Sequence, residues 1–297
     1  MFKKYTISKL SNEITGYIFI IIAASCWGSI GPVAKLAFKN GMGPMEVAFY
    51  RAVFGWVFFF IHAIFRGVIR INLKDLPIFI IFSLLCVSLF YVSYQVAVSK
   101  IGASLASVLL YTAPAWVTIL ARIFLNEKIT PLKLIALFLT ISGVVLISFS
   151  SNTPENQLKI TPMGIVWGLI SGLTYALYYI FGKKTLQNYS SITIFTYILP
   201  IGSIPLFFLI PKSLPPQSAL FPLLFLGFVT TYLAYIAYYK GLKYLEASRA
   251  SVVATLEPVV ASLLAFLFWD EVLSPISYIG GALILCSVIL TISVQES

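Results

Sequence analysis

Residues 102–125 read GASLASVLLYTAPAWVTILARIFL, an apolar run broken by one charge, Arg122, and one proline, Pro114. Roughly 20 apolar residues in a helix cross a bilayer core of about 30 Å, so this stretch is long enough to span a membrane. The chain repeats it at 247–269, ASRASVVATLEPVVASLLAFLFW. Residues 91–131 align without gaps on 235–275, with about eleven identities in roughly forty-one positions, the self-similarity that marks a duplicated unit. Pro114 falls on Pro258, Glu127 on Glu271 and Pro131 on Pro275. A weaker match sets Gly16, Trp27 and Lys35 on Gly164, Tyr175 and Lys183.

Working outward, further runs of the same kind occupy 15–37, 44–65, 76–98, 131–149, 162–182, 191–210, 219–239 and 275–294. The reading is an all-α membrane protein of ten transmembrane helices, divided by the polar stretch 150–159 into a first five-helix repeat, 1–150, and a second, 151–297. Five spans per half is odd, so the second half must enter the membrane with opposite orientation. Two inverted copies about an axis in the membrane plane are the architecture of many secondary transporters, in which one packing opens to either side.

Composition agrees. The 297 residues are 60% hydrophobic and 10% charged, with mean hydropathy +0.97, against about 45–50% apolar and a quarter charged in soluble domains. So few charges cannot cover a water-facing surface, which excludes a soluble enzyme. Cys26, Cys86 and Cys286 lie in apolar runs, so there is no disulfide framework or CxxC pair. Ala23-Ala24-Ser25-Cys26 faintly resembles a lipoprotein cleavage box, but the apolar run continues past it, so a retained first helix is expected.

The net charge of +10 is distributed by side. With the N-terminus inside, the inner segments carry Lys3, Lys4, Lys9, Arg66, Arg70, Lys74, Arg122, Lys128, Lys133, Lys183, Lys184, Lys240, Lys243 and Arg249. The outer ones carry Lys35, Lys39, Lys100, Lys159 and Lys212. This positive-inside bias places both termini in the cytoplasm. The cations face anionic headgroups, so the lipid bilayer is the expected partner and nucleic acid is not.

These features resemble the drug/metabolite transporter superfamily, in its branch of paired EamA-type domains. The resemblance is carried by Trp27-Gly28, by Phe49-Tyr50-Arg51, by Pro114 through Asn126-Glu127, Thr130 and Gly143, and by Glu257-Pro258-Val259 through Asp270-Glu271, Ser274 and Gly280. Ser287 departs from it, standing where the first half has Gly143. The resemblance implies a central cavity lined by the first four helices of each half, with the fifth and tenth peripheral.

Candidate site residues are those that lipid would reject. Glu257 lies about 15 Å into the ninth span, where a charge costs about 2.5–3.5 kcal/mol and needs a partner, a cavity or a proton. The next residue, Pro258, leaves the Ala254 carbonyl without its helical donor. Arg51, about 11 Å into the second span, either holds a substrate carboxylate or pairs with Glu257, or snorkels to the headgroups. Trp27 and Tyr175 fall near the midplane, where an interfacial belt would not put them. Tyr232 and Tyr235 share a face of the eighth span, Tyr91, Tyr94 and Gln95 cluster on the third, and Tyr111 lies on the fourth. Tyr178, Tyr179, Tyr238 and Tyr239 are expected as belt residues near the inner surface. His62 and Lys35, near span ends, are expected to pack or anchor. Gly31, Pro32, Pro114, Pro200 and Pro258 are the expected hinges.

An aromatic, hydroxylated wall with few charges suits small zwitterions, amines or aromatic metabolites. The expected function is secondary transport, with export the expected direction, of amino acids, amines or related compounds across a bacterial or archaeal cell membrane. No catalytic residue, metal or cofactor is expected. With no P-loop, transport runs by facilitated diffusion, exchange or ion coupling, and protons would couple through Glu257. The chain is read as a monomer or homodimer. The rival readings are an intramembrane enzyme and a non-transporting assembly subunit. One histidine and one midplane carboxylate exclude a zinc hydrolase and a carboxylate dyad.

Overall fold

The computed structural model describes residues 2–150, 161–211, 214–269 and 274–293, with side chains over 11–148 in the first segment. Among these residues there is no strand. In chain order the helices are α1 (Phe2–Gly28), α2 (Ile30–Lys39), α3 (Pro44–Arg66), α4 (Leu76–Ser83), α5 (Phe90–Leu110), α6 (Ala113–Phe124) and α7 (Pro131–Ser150). They continue as α8 (Pro162–Thr185), α9 (Ser191–Phe207), α10 (Gln217–Phe225), α11 (Ala234–Leu242), α12 (Ala247–Ala254), α13 (Glu257–Trp269) and α14 (Pro275–Ser293). A π-helical turn, Leu84–Leu89, joins α4 to α5, and another, Leu226–Leu233, joins α10 to α11.

Local chemistry sets the ends. Gly43 donates its backbone N–H to Glu46 Oε2 at 2.7 Å ahead of Pro44, and α3 stops at Gly67, whose φ of 64° is left-handed. Thr161 and Ser190 cap α8 and α9 by accepting the N–H of Gly164 and Thr193, each at 3.1 Å.

Where ten spans are expected, eight described runs are long and apolar enough to cross a membrane. The difference lies in two places. Leu73–Leu110 is one run that takes in the expected third span and the start of the fourth, leaving α6 with 12 residues. It bends at Gly102, whose φ of 80° and ψ of 159° no other residue adopts readily. The other is α9, a 17-residue apolar helix with Pro200 and Pro205 inside it.

Helix breaks recur in both halves. The offset that sets Tyr91 on Tyr235 also sets the break at Tyr111–Thr112 on that at Thr255–Leu256, and overlays the two π-turns. Pro114 and Pro258 therefore sit in the first turns of new helices, α6 and α13. The break in the first span is at Gly28–Ser29, one turn before the expected hinge at Gly31 and Pro32.

Packing between halves is reciprocal. A Cβ on Gly55 of α3 would stand 2.5 Å from Thr231 Cγ2 and 3.5 Å from the Gly227 carbonyl oxygen. A Cβ on Gly202 of α9 would stand 2.4 Å from Val87 Cβ and 2.8 Å from the Ser83 carbonyl oxygen. Val87 and Ser83 are the repeat mates of Thr231 and Gly227. The helices α7 and α14 cross back to back, a Cβ on either Gly143 or Gly280 meeting the other's carbonyl oxygen at 2.6 Å. Ser287 supplies a hydroxyl there, 2.8 Å from Thr140 Oγ1.

One expectation is corrected. Tyr178, Tyr179, Tyr238 and Tyr239 are buried in the core, because their rings pack edge-to-face or tilted against one another and against Trp27, Phe82 and Phe195. Lys3, Lys4, Lys9, Lys159, Lys212, Asp270-Glu271 and the divider from residue 151 lie outside the residues whose side chains are described.

Candidate functional site

Arg51, two turns into α3, is buried and does not snorkel. Its Nε donates to Thr231 Oγ1 at 3.0 Å, and its guanidinium carbon lies 5.8 Å from the centre of the Tyr91 ring. Around it stand Tyr178 and Tyr235, stacked at 5.5 Å with planes 21° apart. Tyr235 also stacks on Phe195 at 4.3 Å. Trp27 meets the edge of Tyr235 at 5.5 Å and packs on Tyr238 at 5.2 Å. The buried Tyr178 hydroxyl lies beside that of Tyr235.

Glu257 opens α13 directly after the break at Thr255–Leu256. The Tyr111 and Tyr175 hydroxyls face its carboxyl, and Arg51 acts on it at longer range without forming a direct ion pair. The side chain is only half-buried although protein surrounds it. Tyr175 is half-buried as well, stacked on Phe90 at 5.4 Å. A guanidinium, Arg51, and a carboxyl, Glu257, thus lie near one another among tyrosines.

Seven of the ten expected binding residues meet here: Trp27, Arg51, Tyr91, Tyr111, Tyr175, Tyr235 and Glu257. Tyr94 instead bonds Ser107 at 3.3 Å in a side cluster with Ala97 and Ile101. Gln95 is half-buried and makes no side-chain hydrogen bond to the group. Tyr232 packs on Phe58, Phe59 and Phe228, and its hydroxyl is 2.7 Å from His62 Nδ1. Thr231 and Tyr178 were not among the expected residues. The paired hydroxyls of Thr230-Thr231 inside an apolar span were the signal for the first.

A second polar cluster closes one end of the bundle, where the α6–α7 connection meets the start of α12. Glu127, buried, accepts the Ala247 N–H at 2.6 Å, the Ser248 N–H at 3.1 Å and the Ser248 hydroxyl at 2.5 Å. A carboxylate at a helix N-terminus is favoured by the exposed amides and the helix dipole. Beside it Lys133 pairs with Glu246 at 2.8 Å, and Lys183 donates to the Leu242 and Leu245 carbonyls, each at 2.6 Å. Arg249 approaches Glu13 to 3.8 Å. At the far end of the first span, Lys39 lies 4.2 Å over the Trp269 ring and Lys35 lies 5.7 Å from it, while Trp269 donates to the Pro32 carbonyl at 3.2 Å.

Two cavities lie away from the centre. One of 390 Å³ is lined by Phe124, Lys184 and Tyr189, and one of 270 Å³ by Trp56, Ile204 and Phe207. Neither touches Arg51 or Glu257.

Residues 14–149 and 162–293 each match the EamA-like transporter family. An uncharacterized transporter of Archaeoglobus fulgidus is 29% identical over 93% of this chain and 98% of its own length. A probable terminal-alkyne amino-acid exporter of Streptantibioticus cattleyicolor is 24% identical over 95% of this chain and 94% of its own. A crystal structure superposes with a TM-score of 0.79 at 15% identity, covering 93% of this chain and 95% of that one, a likeness of fold.

Proposed function

The chain belongs to the EamA-like transporter family of the drug/metabolite superfamily, and from that premise we propose that it carries small zwitterions, amino acids with apolar or aromatic side chains first among them, by alternating access. The observation that carries the substrate class is a buried guanidinium, Arg51, and a half-buried carboxyl, Glu257, near one another with no ion pair between them among the described residues. A zwitterion satisfies both at once, its carboxylate on the guanidinium and its ammonium on the carboxyl. Aromatic rings beside the site accept an apolar side chain and attract the ammonium. The exporter of terminal-alkyne amino acids among the relatives is in keeping with this reading.

The alternation is read from the repeat. Counting the helix before Gly102 as one span, the stretch from Ala103 through α6 as the next, and α9 as a span gives five per half. The reciprocal glycine contacts support a two-fold relation between the halves. The end closed by Glu127 is the cytoplasmic one on the charge distribution. It is shut in this conformation, and exchange of access requires Glu127 to release α12. Export is the direction favoured by the named relative.

Ligand-induced thermal stabilisation of the purified chain tests this, with L-amino acids, the corresponding amines and the corresponding carboxylic acids as the panel. A ligand at 100 times its dissociation constant adds about 2.7 kcal/mol. The expected result is stabilisation by amino acids above both half-analogues; equal stabilisation by amines alone would move the substrate class away from zwitterions.

A further inference from the structure

We infer that Thr231 is the positioning residue that makes Arg51 selective for a carboxylate, and that the π-turn Leu226–Leu233 serves to present its hydroxyl. The inference rests on the reading of Arg51 as the carboxylate-binding group.

A hydroxyl has a single proton. That of Thr231 is committed to the Leu226 carbonyl, five residues back, at 3.0 Å, the span that a π-turn opens. Its oxygen can therefore meet a neighbour only as an acceptor, which is what a guanidinium, all donors, requires. The bond it accepts comes from Arg51 Nε at 3.0 Å. Holding Nε fixes the plane of the guanidinium and leaves its two terminal nitrogens, which have no acceptor among the described residues, as a fork beside Tyr91. Such a fork matches the two oxygens of a carboxylate.

The other half of the molecule shows that packing does not need this hydroxyl. Val87, the repeat mate of Thr231, lies in the first π-turn and faces Gly202 as Thr231 faces Gly55. Valine thus makes the same helix–helix contact without an oxygen. What Val87 lacks is an arginine to hold, since α9, the helix it faces, carries none.

The test compares wild type, Thr231→Val and Thr231→Ser, as full chains in detergent. Dissociation constants are measured for L-phenylalanine and for phenethylamine, which lacks the carboxylate, and unfolding temperature is measured without ligand. Valine keeps the methyl against Gly55 and loses the hydroxyl; serine does the reverse. The expected result is wild-type preference for L-phenylalanine, a loss of about 10-fold in its affinity in Thr231→Val, no change for phenethylamine, and retention of the preference in Thr231→Ser. Preference retained in Thr231→Val, or lost equally in Thr231→Ser, would overturn the positioning role and leave the zwitterion site standing. A Thr231→Val chain that failed to fold would also overturn it, since the hydroxyl would then be structural. A wild type that binds both ligands alike would remove the site reading, and this inference with it.

Discussion

A guanidinium and a carboxyl inside a bundle of apolar helices are costly to insert, and they persist where they have work to do. Here Arg51 is held by the Thr231 hydroxyl, and Glu257 lies beside Tyr111 and Tyr175. Removing one charge should cost one end of the ligand. Arg51→Gln is expected to weaken L-phenylalanine binding roughly 10- to 100-fold, the range for a charged hydrogen bond, and to spare phenethylamine. Glu257→Gln should do the converse, weakening L-phenylalanine and phenethylamine and sparing 3-phenylpropionate. Isothermal titration with the three ligands reads both; a variant that weakened all three alike would point to a general disruption of the site. Arg51 and Glu257 were legible in the sequence because charges in apolar spans have no neutral explanation. Thr231 was marked only by the Thr230-Thr231 pair, a weak signal because a hydroxyl in a membrane helix usually bonds its own backbone. Glu127 was visible only as a repeat marker, because a carboxylate at a helix end is cheap and its partners are about 120 residues further along the chain. Tyr178, Tyr179, Tyr238 and Tyr239 depart from the expected belt for a different reason. Their positions along the helices are near the ends, but rings from α1, α8, α9 and α11 fold over one another there and exclude solvent.

Among the elements, the reciprocal glycines set how closely the halves approach. Valine at Gly55 or at Gly202 would drive a side chain into Thr231 or Val87, at Cβ distances of 2.5 and 2.4 Å. Each is expected to lower stability by about 1–3 kcal/mol, and by similar amounts, because the two contacts are mates; thermal unfolding in detergent measures it. Gly143→Val, between α7 and α14, should destabilise in the same range without altering ligand affinity. The Glu127 cluster makes a prediction about opening. In a chain lacking Cys26, Cys86 and Cys286, a cysteine at Ser251, in the helix that Glu127 caps, is shielded. Adding Glu127→Gln should speed its modification by a cytoplasmic thiol reagent. Unchanged labelling would mean that the cap is structural and does not gate. Most helices were legible from their apolar lengths and from breakers such as Gly67. The join of Leu73–Leu110 was not, because Ser99-Lys100 reads as a break between spans, whereas the helix runs through it and bends at Gly102. The π-turns were equally hidden, since an extra residue in a turn leaves no compositional trace.

At the scale of the whole molecule, one packing is used twice, and the charges break the symmetry. Lys133 and Arg249 have Ser277 and Leu105 as repeat mates, so the ion pairs to Glu246 and Glu13 have no charged counterpart at the opposite end. The cluster therefore favours closure of one end, which under the proposed orientation is the cytoplasmic one. A fluorescent protein fused after Ser297 should fluoresce, and alkaline phosphatase at the same position should be inactive; the reverse pair would invert the assignment. The duplication was readable from Tyr91 and Tyr235 onward, but the reciprocal contact of Gly55 and Gly202 was not, because those glycines have no distinctive sequence context. The most direct measurement is counterflow of labelled L-phenylalanine into proteoliposomes preloaded with the unlabelled compound, for wild type, Arg51→Gln and Glu257→Gln. The account predicts transient accumulation by wild type and its loss in both variants, with all three chains folded. Accumulation that survived either substitution would contradict a zwitterion held between Arg51 and Glu257.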